Sequence, residues 1–235
     1  MSIKAVLFDL DGTLLPLEHE VFIKHYFGGL VKSLAAHGYE PEKLSRSIWL
    51  GTGAMIENDG KTTNENVFWD VFSKAYGKNA REDEPYFIKF YNEEFDKVSV
   101  VASKNPDAVR AVREIKALGL RVVLATNPVF PAVATRKRTA WAGLSVDEFE
   151  LFTSYENSSY CKPNLDYYRE ILAKIGVNPE ECLMVGNDVD DDMVTEQLGM
   201  KVFLIPRHLI NKSGKDISKY PQGSFNDLIN YVKSL

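Results

Sequence analysis

The chain has 235 residues, 45% hydrophobic and 26% charged, and its 15 Gly and 10 Pro are ordinary globular usage. Disordered and collagen-like chains are thereby excluded, and about 150 residues per domain allows one large or two modest domains. Lys plus Arg number 28 against 33 Asp plus Glu, a net charge of -5, so no basic excess points to nucleic acid or to an anionic membrane surface.

The first predicted element is a buried strand over Ile3 to Asp9, reached directly from Met1 with no charged n-region or small-residue cleavage site of a signal peptide. Residues 16–102 then show amphipathic helical patterns with no convincing strand between them, which predicts an inserted all-α unit. Its clearest helix opens on the capping-box spacing Thr62 to Glu65 and is expected to bury Val67, Phe68, Val71, Phe72 and Ala75. A second, near Pro85 to Phe95, presents Phe87, Phe90, Tyr91 and Phe95; these aromatics are read as the core of a small bundle, with some facing a ligand as the alternative.

From residue 103 onward the pattern becomes helix, turn, strand. Asn105 caps a helix with Pro106 in its first turn, a face of Val109, Val112, Ile115 and Leu118, and Gly119 at its end. Strands follow at Arg121 to Thr126, Glu150 to Ser154, Cys182 to Gly186 and Lys201 to Ile205. Between and after them come helices at Leu165 to Ile175, about Asp191 to Leu198, and Phe225 to Val232. Short apolar strands alternating with amphipathic helices predict an α/β fold around a buried parallel sheet. Residues 1–15 and 103–235 would form the core and 16–102 the insertion. No apolar run approaches the roughly 20 residues needed to span a bilayer, so a soluble protein without membrane contact is expected. Cys161 and Cys182 lie in no CxxC pair and near no His cluster, which argues against zinc and disulfides and for a reduced, cytoplasmic setting.

The chemistry concentrates where strands end, the edge at which open α/β sheets bind ligands. Ala5-Val6-Leu7-Phe8-Asp9-Leu10-Asp11-Gly12-Thr13 runs from a strand into two carboxylates and a glycine turn. At average residue usage the D-x-D-G-T string arises by chance at roughly one position in a hundred thousand, so two strand-capping acids are the weaker explanation. Thr126-Asn127 ends the second strand with a hydroxyl and N–H groups suited to an anionic oxygen. Lys162 precedes Pro163 after the third strand. Gly186-Asn187-Asp188-Val189-Asp190-Asp191-Asp192 places four carboxylates after the fourth. A solvated helix start is the plain reading of that run. An EF-hand is excluded, because counting from Asp188 position six is Met193 and position twelve is Gly199. Asp188 with Asp9 offers hard oxygen ligands for Mg2+, which takes few carboxylates plus waters and a phosphate.

In this order, Asp9-x-Asp11-Gly12-Thr13, Thr126, Lys162-Pro163, then Asp188 and Asp192, the chain resembles the haloacid dehalogenase (HAD) superfamily over nearly its whole length. The resemblance implies a Rossmann-like three-layer core of 1–15 and 103–235, with 16–102 as a helical cap. It implies that Asp9 is the nucleophile and that the Asp11 carboxyl is general acid and base. Thr126, Asn127 and Lys162 would hold phosphate, and Asp9, the Asp11 carbonyl and Asp188 would hold Mg2+, with Asp192 supporting from behind, as by orienting Lys162. One departure is that Asn187 stands after Gly186, where the family commonly has Asp. The dehalogenase branch lacks the second acid, since halide leaves without a proton, so Asp11 favours phosphate chemistry. The function expected is Mg2+-dependent hydrolysis of a small phosphorylated metabolite through an aspartyl phosphate. A phosphomutase assisted by His19 or His25, and a non-catalytic binding protein, are the alternatives. Receiver domains are about half this length and do not carry the D-x-D-G-T string. Trp49, Gly51-Thr52-Gly53 and Trp69 are the specificity candidates, while neither the substrate nor the oligomeric state is written in the sequence.

Overall fold

The computed structural model describes residues 2–235. Four helices fill the segment after the first strand: α1 (His19–Ala35), α2 (Pro41–Ile56), α3 (Asn64–Tyr76) and α4 (Glu84–Glu93). Five strands, β1 (Ala5–Phe8), β2 (Arg121–Leu124), β3 (Leu151–Phe152), β4 (Cys182–Gly186) and β5 (Lys201–Leu204), pair in parallel in the order β3-β2-β1-β4-β5. The chain moves outward from β1 to β2 and β3, then returns to β4 on the other side of β1. That reversal makes a crevice outside the carboxyl ends of β1 and β4, the topological position for ligands. Register sharpens it, because Phe8 lies beside Leu124 on one side and Val185 on the other, so the residues after each strand emerge at one edge.

Both faces of the sheet are covered, which is why its strands read as continuous apolar runs. Leu7, Val123, Met184 and Val202 pack under α7 (Leu165–Ile175) through Tyr167, Tyr168 and Ile171. Val6, Phe8, Leu124, Val185 and Phe203 pack on the opposite side with α5 (Pro106–Ala117), α6 (Ala132–Trp141) and α8 (Phe225–Ser234), and this apolar cluster continues into α1–α4. The fold is α/β with three layers and a helical insertion.

Several expectations need correction. The expected helix from Asp191 is a turn followed by a 3-10 segment, Met193–Leu198, because the carboxylates at 188 and 192 bond backbone N–H groups around them instead of standing in solvent. The strand at 150–154 pairs only at Leu151–Phe152, since the Thr153 hydroxyl turns inward to the Thr126 carbonyl at 2.6 Å. On α5 the buried face is Ala108, Ala111, Val112 and Ile115, with Leu118 exposed at the helix end. On α3 the cap is Thr63, accepting from Asn66 N, while Glu65 pairs with Arg81 at 2.7 Å, and the buried face is Phe68, Trp69, Phe72 and Tyr76.

That one-residue shift has a cause in Asn64, which is fully buried at the start of α3. Its Nδ2 donates toward the carbonyls of Pro128 and Tyr160, both at 3.2 Å, and its Oδ1 accepts from Asn58 at 2.8 Å. A single amide thus ties the helical segment to two loops at the sheet edge. Asn64→Ala should leave those buried groups unpaired and cost about 1–3 kcal/mol. A urea midpoint unchanged from wild type would show that the tie carries no stability.

Candidate active site

Asp9 is the residue after β1, buried, with both carboxylate oxygens engaged. Oδ1 accepts from Lys162 Nζ at 2.8 Å and Oδ2 from the Thr13 hydroxyl at 3.0 Å. Gly12, at φ 86°, lets the chain double back so that Thr13 reaches Asp9. A Cβ on Gly12 would stand 2.4 Å from Asn187 Nδ2, so the glycine is required for space as well as for conformation. Asn187 lies across that turn, its Oδ1 2.8 Å from the Thr13 hydroxyl, whose single hydrogen it shares with Asp9, and its Nδ2 donating to the His208 carbonyl at 2.6 Å. An aspartate there would have no proton for His208, which gives the departure at this position a physical role: Asn187 clamps two loops.

Lys162 is buried between two acids, 2.8 Å from Asp9 and 2.7 Å from Asp192. Burial alone would favour the neutral amine, but Asp192 and Asp9 outweigh it and hold the ammonium well above its ordinary range. Asp192 is fixed in turn: its Oδ2 accepts from Asp188 N at 3.0 Å, and its carboxyl occupies the space a Cβ on Gly186 would need. Gly186 therefore ends β4 with room for the acid that orients Lys162. Thr126, buried after β2, gives its carbonyl to Thr153 and Tyr167, while Asn127 Oδ1 accepts from the Lys162 N–H at 3.2 Å.

Asp188 Oδ1 accepts from the N–H groups of Asp190 and Asp191 at 2.8 and 3.0 Å, leaving Oδ2 as its free acceptor. Asp190 points elsewhere, to Lys215 at 2.8 Å and to Ser213, and these partners hold its carboxyl down at about 2. Asp191 does not stand in solvent either. Burial pushes it up to about 6, with Asp188 and Asp9 adding and Lys162 opposing.

Sequence reasoning missed Arg138. It is almost wholly buried on α6, 4.5 Å from the Phe130 ring, and its Nη1 grips Asp11 Oδ2. Asp11 Oδ1 is buried with no hydrogen-bond partner. Burial raises the Asp11 carboxyl, the Arg138 guanidinium opposes this and the Asp9 charge adds to it, and the outcome is upward. In sequence Arg138 closes the run Arg136-Lys137-Arg138, which reads as a solvated basic face; only its i-3 relation to the buried Thr135 hinted otherwise.

One cavity of about 450 Å3 joins these groups to the helical segment. Asp9, Asp11, Thr126, Asn127, Lys162, Asp188, Asp191 and Asp192 all line it, whereas Asp190 of the acidic run does not. Trp49, Thr52, Trp69 and His19 line it as well. His25 does not: it is exposed, with its ring bonded to the Val21 carbonyl of its own helix. Gly51 serves packing, since a Cβ there would meet Phe68 at 2.7 Å. Five carboxylates against Lys162, Arg138 and Lys212 leave an excess of hard oxygen donors. Among the described residues no three His, Cys, Asp or Glu side chains form a finished cation cage. A cation that needs only one or two carboxylates, a carbonyl and water suits such a donor set.

The profile of the haloacid dehalogenase-like hydrolases matches residues 3–195. The chain belongs to that family. A glyceraldehyde 3-phosphate phosphatase of Methanocaldococcus jannaschii is 25% identical over 236 residues, covering 99% of this chain and 98% of the relative. Among solved structures, a HAD phosphatase from Thermococcus onnurineus superimposes with a TM-score of 0.59 at 19% identity, covering 98% of each chain. An L-2-haloacid dehalogenase from Xanthobacter autotrophicus gives 0.57 at 17% identity over 99% of each. Phosphatase and dehalogenase fit this HAD-like hydrolase equally well, so the fold alone does not choose between their chemistries.

Proposed function

We propose that the protein is a Mg2+-dependent phosphatase that hydrolyses a small phosphomonoester through an aspartyl phosphate on Asp9. The observation that carries this reading is Asp11, a second carboxyl beside Asp9 with one oxygen held by Arg138 and the other buried and unpartnered. A halide departs without a proton, whereas an alkoxide needs one, and Asp11 Oδ1 is a group able to supply it. Residues 16–102 act in this reading as a cap over the core, and the excess of carboxylates in the cavity supports a divalent cation.

The remaining roles follow from charge and reach. A phosphate dianion entering beside Asp9, Asp188 and Asp191 meets like charge, which Lys162 offsets on the side of Asp9. The Thr126 hydroxyl and Asn127 flank it from the end of β2. Asp9, the Asp11 carbonyl and Asp188 Oδ2 would hold Mg2+, which when bound neutralises phosphate charge and supplies Lewis acidity. Asp9 attacks phosphorus, the ester oxygen leaves with the proton from Asp11, and the Asp11 carboxylate then takes a proton from the water that cleaves the acyl phosphate.

Purified protein should release inorganic phosphate from p-nitrophenyl phosphate and lose that activity with EDTA; undiminished hydrolysis after thorough chelation would sink the metal requirement. Phosphate release also separates hydrolysis from transfer to a sugar. Within the acidic run, Asp188→Ala should raise the Mg2+ concentration for half-maximal activity by more than the about 10- to 100-fold typical of outer-shell changes. Asp190→Ala should stay near wild type, because Asp190 faces Lys215 and Ser213, and Asp191→Ala should fall between. Metal titrations in which Asp190→Ala is the worst of the three would show the wrong ligand has been named.

A further inference from the structure

We infer that the substrate is a phosphomonoester of an apolar alcohol, an aryl or medium-chain alkyl phosphate, rather than of a sugar or nucleoside. The inference rests on the phosphatase reading and goes further, to the part of the substrate that leaves. No Asp, Glu, Lys or Arg of α1–α4 lines the cavity; beside the polar His19 and Thr52 the helices contribute such side chains as Phe22, Phe27, Ile48, Trp69, Phe87 and Ile88. Tyr26 and Tyr91 bond each other at 2.7 Å, which commits one of their two hydroxyl hydrogens. A polyol enclosed here would lose water at several hydroxyls and regain few partners, an unfavourable exchange.

Three further observations agree. The cavity, at about 450 Å3, falls within the usual range of about 300–1,000 Å3 for small-molecule sites. Its lining includes two large apolar side chains that are also solvent-exposed, Trp49 at 53% and Ile56 at 48%, with Trp49 stacked on Phe27 at 5.1 Å. Exposed apolar groups continuous with a cavity are suited to admitting an apolar ligand. The Trp69 indole N–H is buried beside the Tyr155 hydroxyl, so this polar group of the wall is turned to the protein.

Alkylphosphonates, which cannot be hydrolysed, separate binding from turnover. Calorimetric titration of the intact protein in Mg2+ buffer with ethyl-, butyl- and hexylphosphonate should show affinity rising about three- to fourfold per methylene, roughly 10²-fold from ethyl to hexyl. Phosphonoacetate, with a charge in place of the chain, should bind no better than ethylphosphonate. Ile23→Asp puts a carboxylate on the half-buried cavity wall and should abolish the gain with chain length while sparing ethylphosphonate. Affinity that is flat across the wild-type series, or highest for phosphonoacetate, would overturn the inference whatever the variant does. Phosphate release from hexyl phosphate is measured alongside. Flat phosphonate affinities with ready hydrolysis of glycerol phosphate would reject the apolar substrate and keep the phosphatase, whereas steep affinities with no phosphate release would keep the apolar ligand and reject the phosphatase.

Discussion

Asp9→Asn is expected to lower kcat on p-nitrophenyl phosphate by on the order of 10⁴-fold or more, the scale on which loss of a nucleophile acts. An amide nitrogen or oxygen does not form the acyl phosphate, and no other carboxylate shares the same contact with Lys162 except Asp192, which is locked to Asp188 N. The fold should persist. Lys162 would still donate to the remaining oxygen, and the new Nδ2 could donate to Thr13 Oγ1, freeing the single Thr13 hydrogen for Asn187. Removing one negative charge also relieves crowding among the acids. A thermal midpoint close to wild type with turnover gone is the expected pair of results; activity within tenfold of wild type would show that Asp9 is not the nucleophile.

The residues at the strand ends were legible in the sequence because β1, β2 and β4 are in register. Each short apolar run that stops at an Asp, a Thr or a Gly delivers the next residue to one edge, so Asp9, Thr126 and the run from Asn187 onward were identifiable without coordinates. The bounds of β4 and α7 were equally visible, since Glu181 and Gly186 mark the first and Asn164 and Gly176 the second. The apolar cavity was not. Side chains that face a cavity recur with the same helical period as those that face a core, and Phe22 or Ile88 carries no mark to tell them apart. Arg138 was hidden for a related reason: a guanidinium enters the interior only when a carboxylate waits there, and its partner Asp11 lies 127 residues away. The same long-range dependence hid Asn64, whose partners follow β2 and β3.

Asp11→Asn should separate the acid role from the rest of the site. Loss of a general acid costs about 10²- to 10⁴-fold, and the cost shrinks when the leaving group needs little help, so alkyl phosphates should suffer far more than p-nitrophenyl phosphate. The variant also puts an amide in place of the carboxyl that the Arg138 guanidinium grips, and weakening one partner of a buried pair destabilises on its own account, here tempered by the partial exposure of Asp11. Absolute rates would mix the two effects. The ratio of kcat/KM for an alkyl and an aryl phosphate does not, because the folded fraction multiplies both rates alike and cancels. That ratio should fall by at least about tenfold in Asp11→Asn and stay near wild type in Asp192→Asn, which alters the partner of Lys162 but not the proton donor. Equal losses on both substrates would remove Asp11 as the leaving-group acid, and with it the feature that separates this chain's chemistry from dehalogenation.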